Sequence, residues 1–422
     1  MASGTHGSVR SFLLRLGKKV WVRAALFALI AVAFALAAGF IGAAVPFRVV
    51  IELGQNSVDS LLQIIATAML TATTFSVTAM VTAYSSATTT ATPRATQLLV
   101  ADPTSQNSLS TFVGAFVFSM VGIIALSTGY YTDQGRTILF LGTLIVIAIV
   151  VVTLLRWIAH LADFGRMADV IDRVEQAASD SMSAYAASPT LGAQRLERVP
   201  ASARPVWAED VGYVVHIDVA ALNRTAAKHD AQVYVASSPG RSADALHPLL
   251  YVSGRLDDDA VSALRGAFRI APHRDYEQDP RLGIIALSEI GSRALSPATN
   301  DPGTAIEIIA AFHRVFALAL RADPSGDVSY ERVWLTPPEL ETLVIDAFRP
   351  LARDGASILE VHLRIQKCLA ALAAIDRSQS AVFSRAADDA RGRAKAAMSR
   401  ADFRELRSAA RGAWESVGLR RD

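Results

Sequence analysis

Four long apolar stretches fill the first 160 residues, and beyond them apolar and polar positions alternate at short periods. A bilayer span needs roughly 20 mostly apolar residues. Residues 20–45 qualify, with Arg23 near enough to the edge to snorkel to the interface. The run is too long for a typical leader, and "GAAVPF" is a poor cleavage context, so an anchor is expected. Further spans are expected at about 58–84, 109–130 and 137–159, the last with "ILFLGTLIVIAIVVVTLL" at its centre.

The second stretch carries an unusual polar pattern. Gln63, Thr67, Thr71, Thr74, Thr78, Thr82 and Ser85 recur at steps of three and four, which places them on one helical face. A polar stripe through a bilayer should not face lipid. It can serve close helix packing, or it can line a watery path. No Asp, Glu, Lys or His lies in the middle of any span, which argues against a proton-coupled carrier and against an intramembrane aspartyl protease.

After residue 160 the helical spacing continues while charges appear, and Ser188-Pro189 marks its end. A polar linker runs to about 204. "GYVVHIDVAAL", "AQVYVASS" and "HPLLYVSG" are short, β-branched and separated by turn residues, so a small sheet or barrel is expected over 205–272. Helices are expected at 280–295, 302–321, 337–349, 356–375, 380–398 and 401–417, with "RADPSGD" as a turn.

The pattern therefore predicts an α-helical polytopic membrane protein of four transmembrane helices with a C-terminal α+β cytoplasmic region. Its parts are a basic N-terminus (1–19), a transmembrane domain (20–160), a helical extension and linker (161–204), a small β module (205–275) and a helical domain (276–422). Composition agrees, since 52% of the 422 residues are hydrophobic and 19% charged. Arg10, Arg15, Lys18, Lys19 and Arg23 precede or open the first span without an acid among them. Basic residues favour the cytoplasmic side, so both termini are expected inside a bacterial plasma membrane. The loop 85–108, bearing Arg94, should then be cytoplasmic, and 46–57 and 131–136 should lie outside.

A net charge of +2, with no basic patch interleaved with aromatics, argues against nucleic acid as a partner. The single cysteine, Cys368, can form neither an internal disulfide nor a cysteine metal cluster. No phosphate loop, dinucleotide turn or nucleophile elbow occurs, and the eight histidines form no metal-ligand spacing. His216 in a strand, and His362 and Cys368 on helix faces, read as packed residues. No catalytic, cofactor-binding or metal-binding set is expected, and no enzymatic activity.

The densest polar signal of the second half is "RALSPATNDPGTAIEII", residues 293–309. Ser296-Pro297 can start a turn or a short helix, with Ser capping and Pro at the first helical position, and Asp301-Pro302 repeats that device more clearly. Glu289 and Arg293 stand four apart and can pair along the preceding helix. Caps explain much of this loop, but not Asn300, nor Glu307 one turn into the next helix. A helix N-terminus is also an anion site, so connection and ligand loop both stand.

Two segments carry a family resemblance. "SSATTTATPRATQLLVADPTSQNSLSTFVGAF" resembles the region after the second span of the predicted bacterial membrane proteins called domain of unknown function 2254, with Ser85, Ser86, Pro93, Arg94, Leu98, Asp102, Gln106 and Thr111–Gly114 in place. "YEQDPRLGIIALSEIGSRALSPATNDPGTA" resembles that family's most distinctive motif through Glu277, Gln278, Asp279, Arg293–Pro297, Asn300–Pro302, Thr304 and Ala305. "GYVVHID" is similar to its Gly-Tyr-Val strand. Ile285-Ala286 departs from the Arg-Gln usual there. The resemblance implies architecture and little chemistry. The expected function is an oligomeric ion-conducting pore with a cytoplasmic regulatory domain; the alternative is a non-catalytic scaffold presenting that domain to partners. Thr67, Thr71, Thr74, Thr78 and Thr82 would line the pore, with Arg94 at its mouth. The bilayer and further copies of the chain are the expected partners, with a small ion or a cytoplasmic protein as the remaining candidate.

Overall fold

The computed structural model describes residues 20–44, 57–322 and 328–419. The basic N-terminus, the first outer loop and most of the "RADPSGD" turn lie outside them. The chain forms two compact units. One holds residues up to 89 and from 96 to 169; the other holds 90–95 and everything from 170 onward.

The first unit contains α1 (Val20–Ala44), α2 (Ser57–Thr90), α3 (Pro93–Val100), α4 (Pro103–Ser127) and α5 (Asp133–Asp163), with the ends of α2 and α3 crossing the division. Glycines let α1 approach its neighbours closely. A Cβ on Gly114 of α4 would stand 3.3 Å from Phe27, and one on Gly142 of α5 would overlap the Phe34 ring. Tyr131 adds a hydrogen bond of 2.7 Å from its hydroxyl to the Ala35 carbonyl. Small residues at crossings are the usual route to tight packing where lipid offers no hydrophobic drive. On α2, Leu62, Ile65, Met69, Ser76 and Met80 are buried along one face.

Two expectations need correction here. The segment 85–108 is no loop: α2 runs on to Thr90, α3 follows, and α4 starts at Pro103 behind its cap Asp102. In the Thr-rich last turns of α2, Thr88 and Thr89 donate to the carbonyls four residues back, so their hydroxyls are satisfied within the helix. The fourth span also does not continue unbroken to 187. Gly165, at φ +76, ends that run, and α6 (Met167–Ala187) begins anew.

The second unit joins a sheet region to a helical layer. Its strands are β1 (Ala193–Arg195), β2 (Arg204–Val206), β3 (Gly212–Ile217), β4 (Gln232–Val235), β5 (Ser242–Ala243), β6 (Leu250–Ser253), β7 (Phe268–Ala271) and β8 (Tyr330–Leu335). Five form a mixed sheet in the order β1-β8-β4-β6-β2, and three form an antiparallel sheet, β5-β3-β7. Helices α7 (Val219–Lys228) and α8 (Asp258–Gly266) lie between the strands in sequence. The region expected as a self-contained β module is thus neither all-β nor closed at 275. "DVAAL" starts a helix capped by Asp218, and β8 arrives from residue 330 to pair in parallel with β4 and β1. Val214, Val233, Leu250, Val333 and Leu335 form the core beneath.

The helical layer is α9 (Pro280–Ala294), α10 (Pro302–Arg321), α11 (Leu340–Asp354), α12 (Leu359–Ile375), α13 (Ser380–Ala397) and α14 (Arg400–Ser416). Phe312, Phe316 and Phe348 meet with ring centroids 5.4–6.4 Å apart. Among the described residues, five helices are long and apolar enough to cross a membrane, not the expected four: α1, α2, α4, α5 and also α10. A helix enclosed by other helices is apolar nearly all round, so composition alone does not separate it from a span.

Candidate functional site

The second unit is knotted together at Tyr276–Pro280, where five successive residues serve different neighbours. The Tyr276 hydroxyl donates to the Arg94 carbonyl at 3.2 Å, and burial raises its pKa above the ordinary phenol range. Glu277 accepts from Arg269 at 2.7 Å and lies 3.5 Å from His216. Gln278 accepts from the Ile217 amide at 2.9 Å, fixing the end of β3. Asp279 caps α9 through the Arg281 amide at 3.1 Å, and Pro280 takes the first helical position.

Asp279 is 1% exposed and receives the Arg274 guanidinium at 2.6 and 2.7 Å. Burial nevertheless pushes its carboxyl above the usual carboxylate range, and the arginine only partly offsets that. Gly240, at φ +86, comes so close that a Cβ there would overlap the carboxylate, so only glycine fits.

Nearly three turns further along α9, Glu289 receives the segment 90–95. Its Oε1 accepts from the Arg94 guanidinium, and its Oε2 accepts from the Thr92 hydroxyl at 2.7 Å. Thr92 is buried and also accepts from the Arg94 amide at 3.3 Å, at the start of α3. Two residues expected at separate places, Arg94 and Glu289, are therefore brought together. The positive charge expected to stand free at a pore mouth is balanced by a carboxylate. Arg293 lies exposed in the last turn of α9, where a cation suits the helix dipole.

The loop 295–301 is explained by its backbone. The Ser296 carbonyl accepts from the Thr299 amide at 3.0 Å and the Asn300 amide at 2.8 Å, closing a turn. Asn300 sits at φ +48, a left-handed conformation that Asn tolerates better than most residues. Asp301 caps α10, accepting from the Thr304 amide at 3.1 Å and hydroxyl at 2.6 Å, which also lowers its pKa. Glu307 is exposed and stands with Asp172 in the acidic surround of Arg314, whose guanidinium binds Glu175 at 2.5 and 2.6 Å. Ala286, in the dipeptide that departs from the family pattern, is fully buried in the core. Asp301→Ala is expected to destabilise the start of α10 by ~1 kcal/mol, and Asn300→Ala by less. Amide exchange in the first turns of α10 measures both, and a parent-like value for Asp301→Ala would reject the cap.

In the first unit, the hydroxyls of Thr67, Thr71, Thr74, Thr78 and Thr82 each donate to the carbonyl four residues back, at 2.9–3.0 Å. All five side chains are exposed on the face opposite Leu62, Met69 and Met80. Gln63, Thr67 and Thr71 also border a groove of about 1020 Å3 against Leu154, Trp157 and Ile158 of α5.

A cluster with no sequence signal joins Asp102, Ser105 and His160. Asp102 Oδ2 accepts from the Ser105 amide and hydroxyl at 2.7 and 2.6 Å, and lies 3.0 Å from His160 Nε2. The grouping has the members of a hydrolytic triad without its wiring. Ser105 donates straight to the carboxylate, and one imidazole nitrogen faces both partners. Among the described residues, no group of three or more His, Cys, Asp or Glu could hold a metal ion.

With this geometry in hand, comparison with known proteins is informative about kinship. Residues 17–371 match a family described as predicted membrane protein (DUF2254); α13 and α14 follow the matched region. An uncharacterised protein of Mycobacterium bovis and one of Mycobacterium tuberculosis are each 25% identical over 298 residues, 66% of this chain and 57% of theirs. The chain thus spans little more than half the length of these curated relatives. No solved structure matches.

Proposed function

The chain belongs to the DUF2254 family of predicted membrane proteins, and we propose that it works as a homo-oligomeric ion-conducting pore regulated by its second unit, without catalysis. In this reading α1, α2, α4 and α5 cross the bacterial plasma membrane and both termini are cytoplasmic. Helix α10 stays in the second unit, since Ile308, Ile309, Phe312, Val315 and Phe316 are buried there and Arg314 forms an ion pair on its flank.

The observation that carries the proposal is the exposed threonine face of α2. In a single copy nothing described covers that face, and acyl chains are poor company for five hydroxyls. Further copies around a common axis would turn it inward, where the hydroxyl oxygens can replace part of an ion's hydration. Arg94 and Glu289 then tie the segment directly following α2 to α9, so a rearrangement of the second unit can pull on the lining helix. With Arg94 paired, selectivity for anions should be weak.

One observation favours the scaffold instead. Every threonine donor is already satisfied within its own helix, so this face can pack against another helix without water. Planar-bilayer recording of purified protein separates the two. The pore reading expects a conductance that Thr74→Val lowers and Arg94→Glu alters in selectivity. Silence under every voltage, pressure and ligand tried leaves the scaffold. A conductance indifferent to both substitutions rejects this lining. Orientation is read by labelling a Gln134→Cys variant from outside the cell, which the pore topology expects to react. Cys368 does not compete, because burial pushes its thiol up to about 12.

A further inference from the structure

The surface of the last two helices treats its arginines in two ways. On α13 all three are paired, Arg391 with Asp388 and Arg393 with Asp389 at helical spacing and Arg385 with Glu341 of α11. On α14, Arg400, Arg404, Arg407 and Arg411 follow one another at steps of four, three and four. At 3.6 residues per turn they fall within an arc of about 60° and extend over about 16 Å. All four are exposed, and none of them forms an ion pair with another described residue. The adjoining flank carries Leu406, Ala410 and Trp414, which are buried and hold the helix in place.

This line is locally unfavourable. Like charges three or four apart on a helix repel. Arg400 also occupies the first helical position, where the dipole favours an acid. The same sequence region shows that pairing was available. A local rule broken on a well-packed helix, with no return inside the fold, points to something outside it.

We propose that this arginine line is a docking surface for the anionic phospholipid headgroups of the membrane that carries the chain. The strength of the attraction decides between partners. Four arginines at a charged surface give roughly millimolar binding. That cannot gather a dilute soluble partner, but it suffices for a surface to which the chain is already tethered. Nucleic acid is the poorer fit, because the one aromatic within the stretch, Phe403, is half-buried and lies off the arc of the four, where a base could not stack on it beside them. The proposal rests on the chain's residence in a membrane and is independent of whether that membrane protein conducts.

The test uses the full chain in nanodiscs, with Ser408→Cys beside the line carrying an environment-sensitive fluorophore; Cys368 is buried and stays unlabelled. In discs containing phosphatidylglycerol, quenching by a headgroup-borne quencher is expected, and it should vanish in pure phosphatidylcholine discs. It should also vanish in 1 M salt, where the Debye length is about 3 Å. The R404E/R407E variant should lose the response, and R404K/R407K should keep it, since point charges suffice. Equal quenching in both lipids overturns the proposal, as does a charge-reversed variant that responds like the parent. A response to added single-stranded DNA in phosphatidylcholine discs, without one to phosphatidylglycerol, overturns it in favour of nucleic acid. Because the same lipid faces both sides of a disc, a wrong orientation in the cell does not imitate failure here. A silent bilayer recording likewise leaves this result untouched.

Discussion

Arg274→Ala is expected to destabilise the second unit by about 3–5 kcal/mol. Asp279 is almost fully buried, and Arg274 is the guanidinium that faces it. Removing one partner leaves a carboxylate in low dielectric with little besides the α9 amides to hold it. The carboxyl already titrates above its ordinary value of 3.8 with the arginine present, so without it the charged form becomes more costly still. The sign follows. A carboxyl raised in the folded state costs nothing while both states are protonated, and the cost grows as pH rises past the unfolded value. The deficit of Arg274→Ala should therefore be smaller near pH 4 than at pH 7. Amide exchange within α9 reads this without requiring the membrane unit to unfold. A deficit under 1 kcal/mol at pH 7, or one flat in pH, would mean that water reaches Asp279 and that this junction is looser than drawn.

That junction shows what the chain discloses on inspection and what it hides. The ends of α9 and α10 are plain in the sequence, because Asp279-Pro280 and Asp301-Pro302 each put a capping carboxylate before a proline. The threonine face of α2 is equally plain, since spacing alone fixes which side chains share a face. Its exposure is not, because that depends on where α4 and α5 pack. The strands β4 and β8 lie about 95 residues apart in sequence, and local β-propensity carries no notice of such a partner. The same applies to Arg94 and Glu289, 195 residues apart, whose pairing gives a reason for both motif segments at once. Asn300 was unexplained by capping; its left-handed backbone accounts for it, and dihedral angles are not written in composition. Gly165 is the instructive miss. A glycine in a helical pattern is often tolerated, so only its positive φ shows that it ends α5.

Acidification should weaken the second unit through His362, and the window is set by burial. His362 is fully buried in α12 beside the α11 end of the layer, and desolvation depresses its pKa from 6.5 to about 4. The unfolded chain then binds a proton that the folded chain refuses. For a group depressed in this way, stability is complete above the unfolded value and falls as pH drops from 6.5 towards 4. A shift of that size is worth up to about 3 kcal/mol at the bottom of the window. His313 is lowered as well, by partial burial and by Arg321, Arg364 and Arg314, so it adds a slope of the same sign. Asp279 works in the opposite direction, because its raised carboxyl favours the folded state as pH falls. The contribution of His362 is therefore isolated by difference: the parent and His362→Leu are unfolded in urea at pH 7 and pH 5, with Trp334 and Trp414 fluorescence as the signal. The leucine keeps the site filled and cannot take a proton, so its variant should lose less stability between the two pH values. Parallel losses in both proteins would show that His362 is not the group that feels the acid.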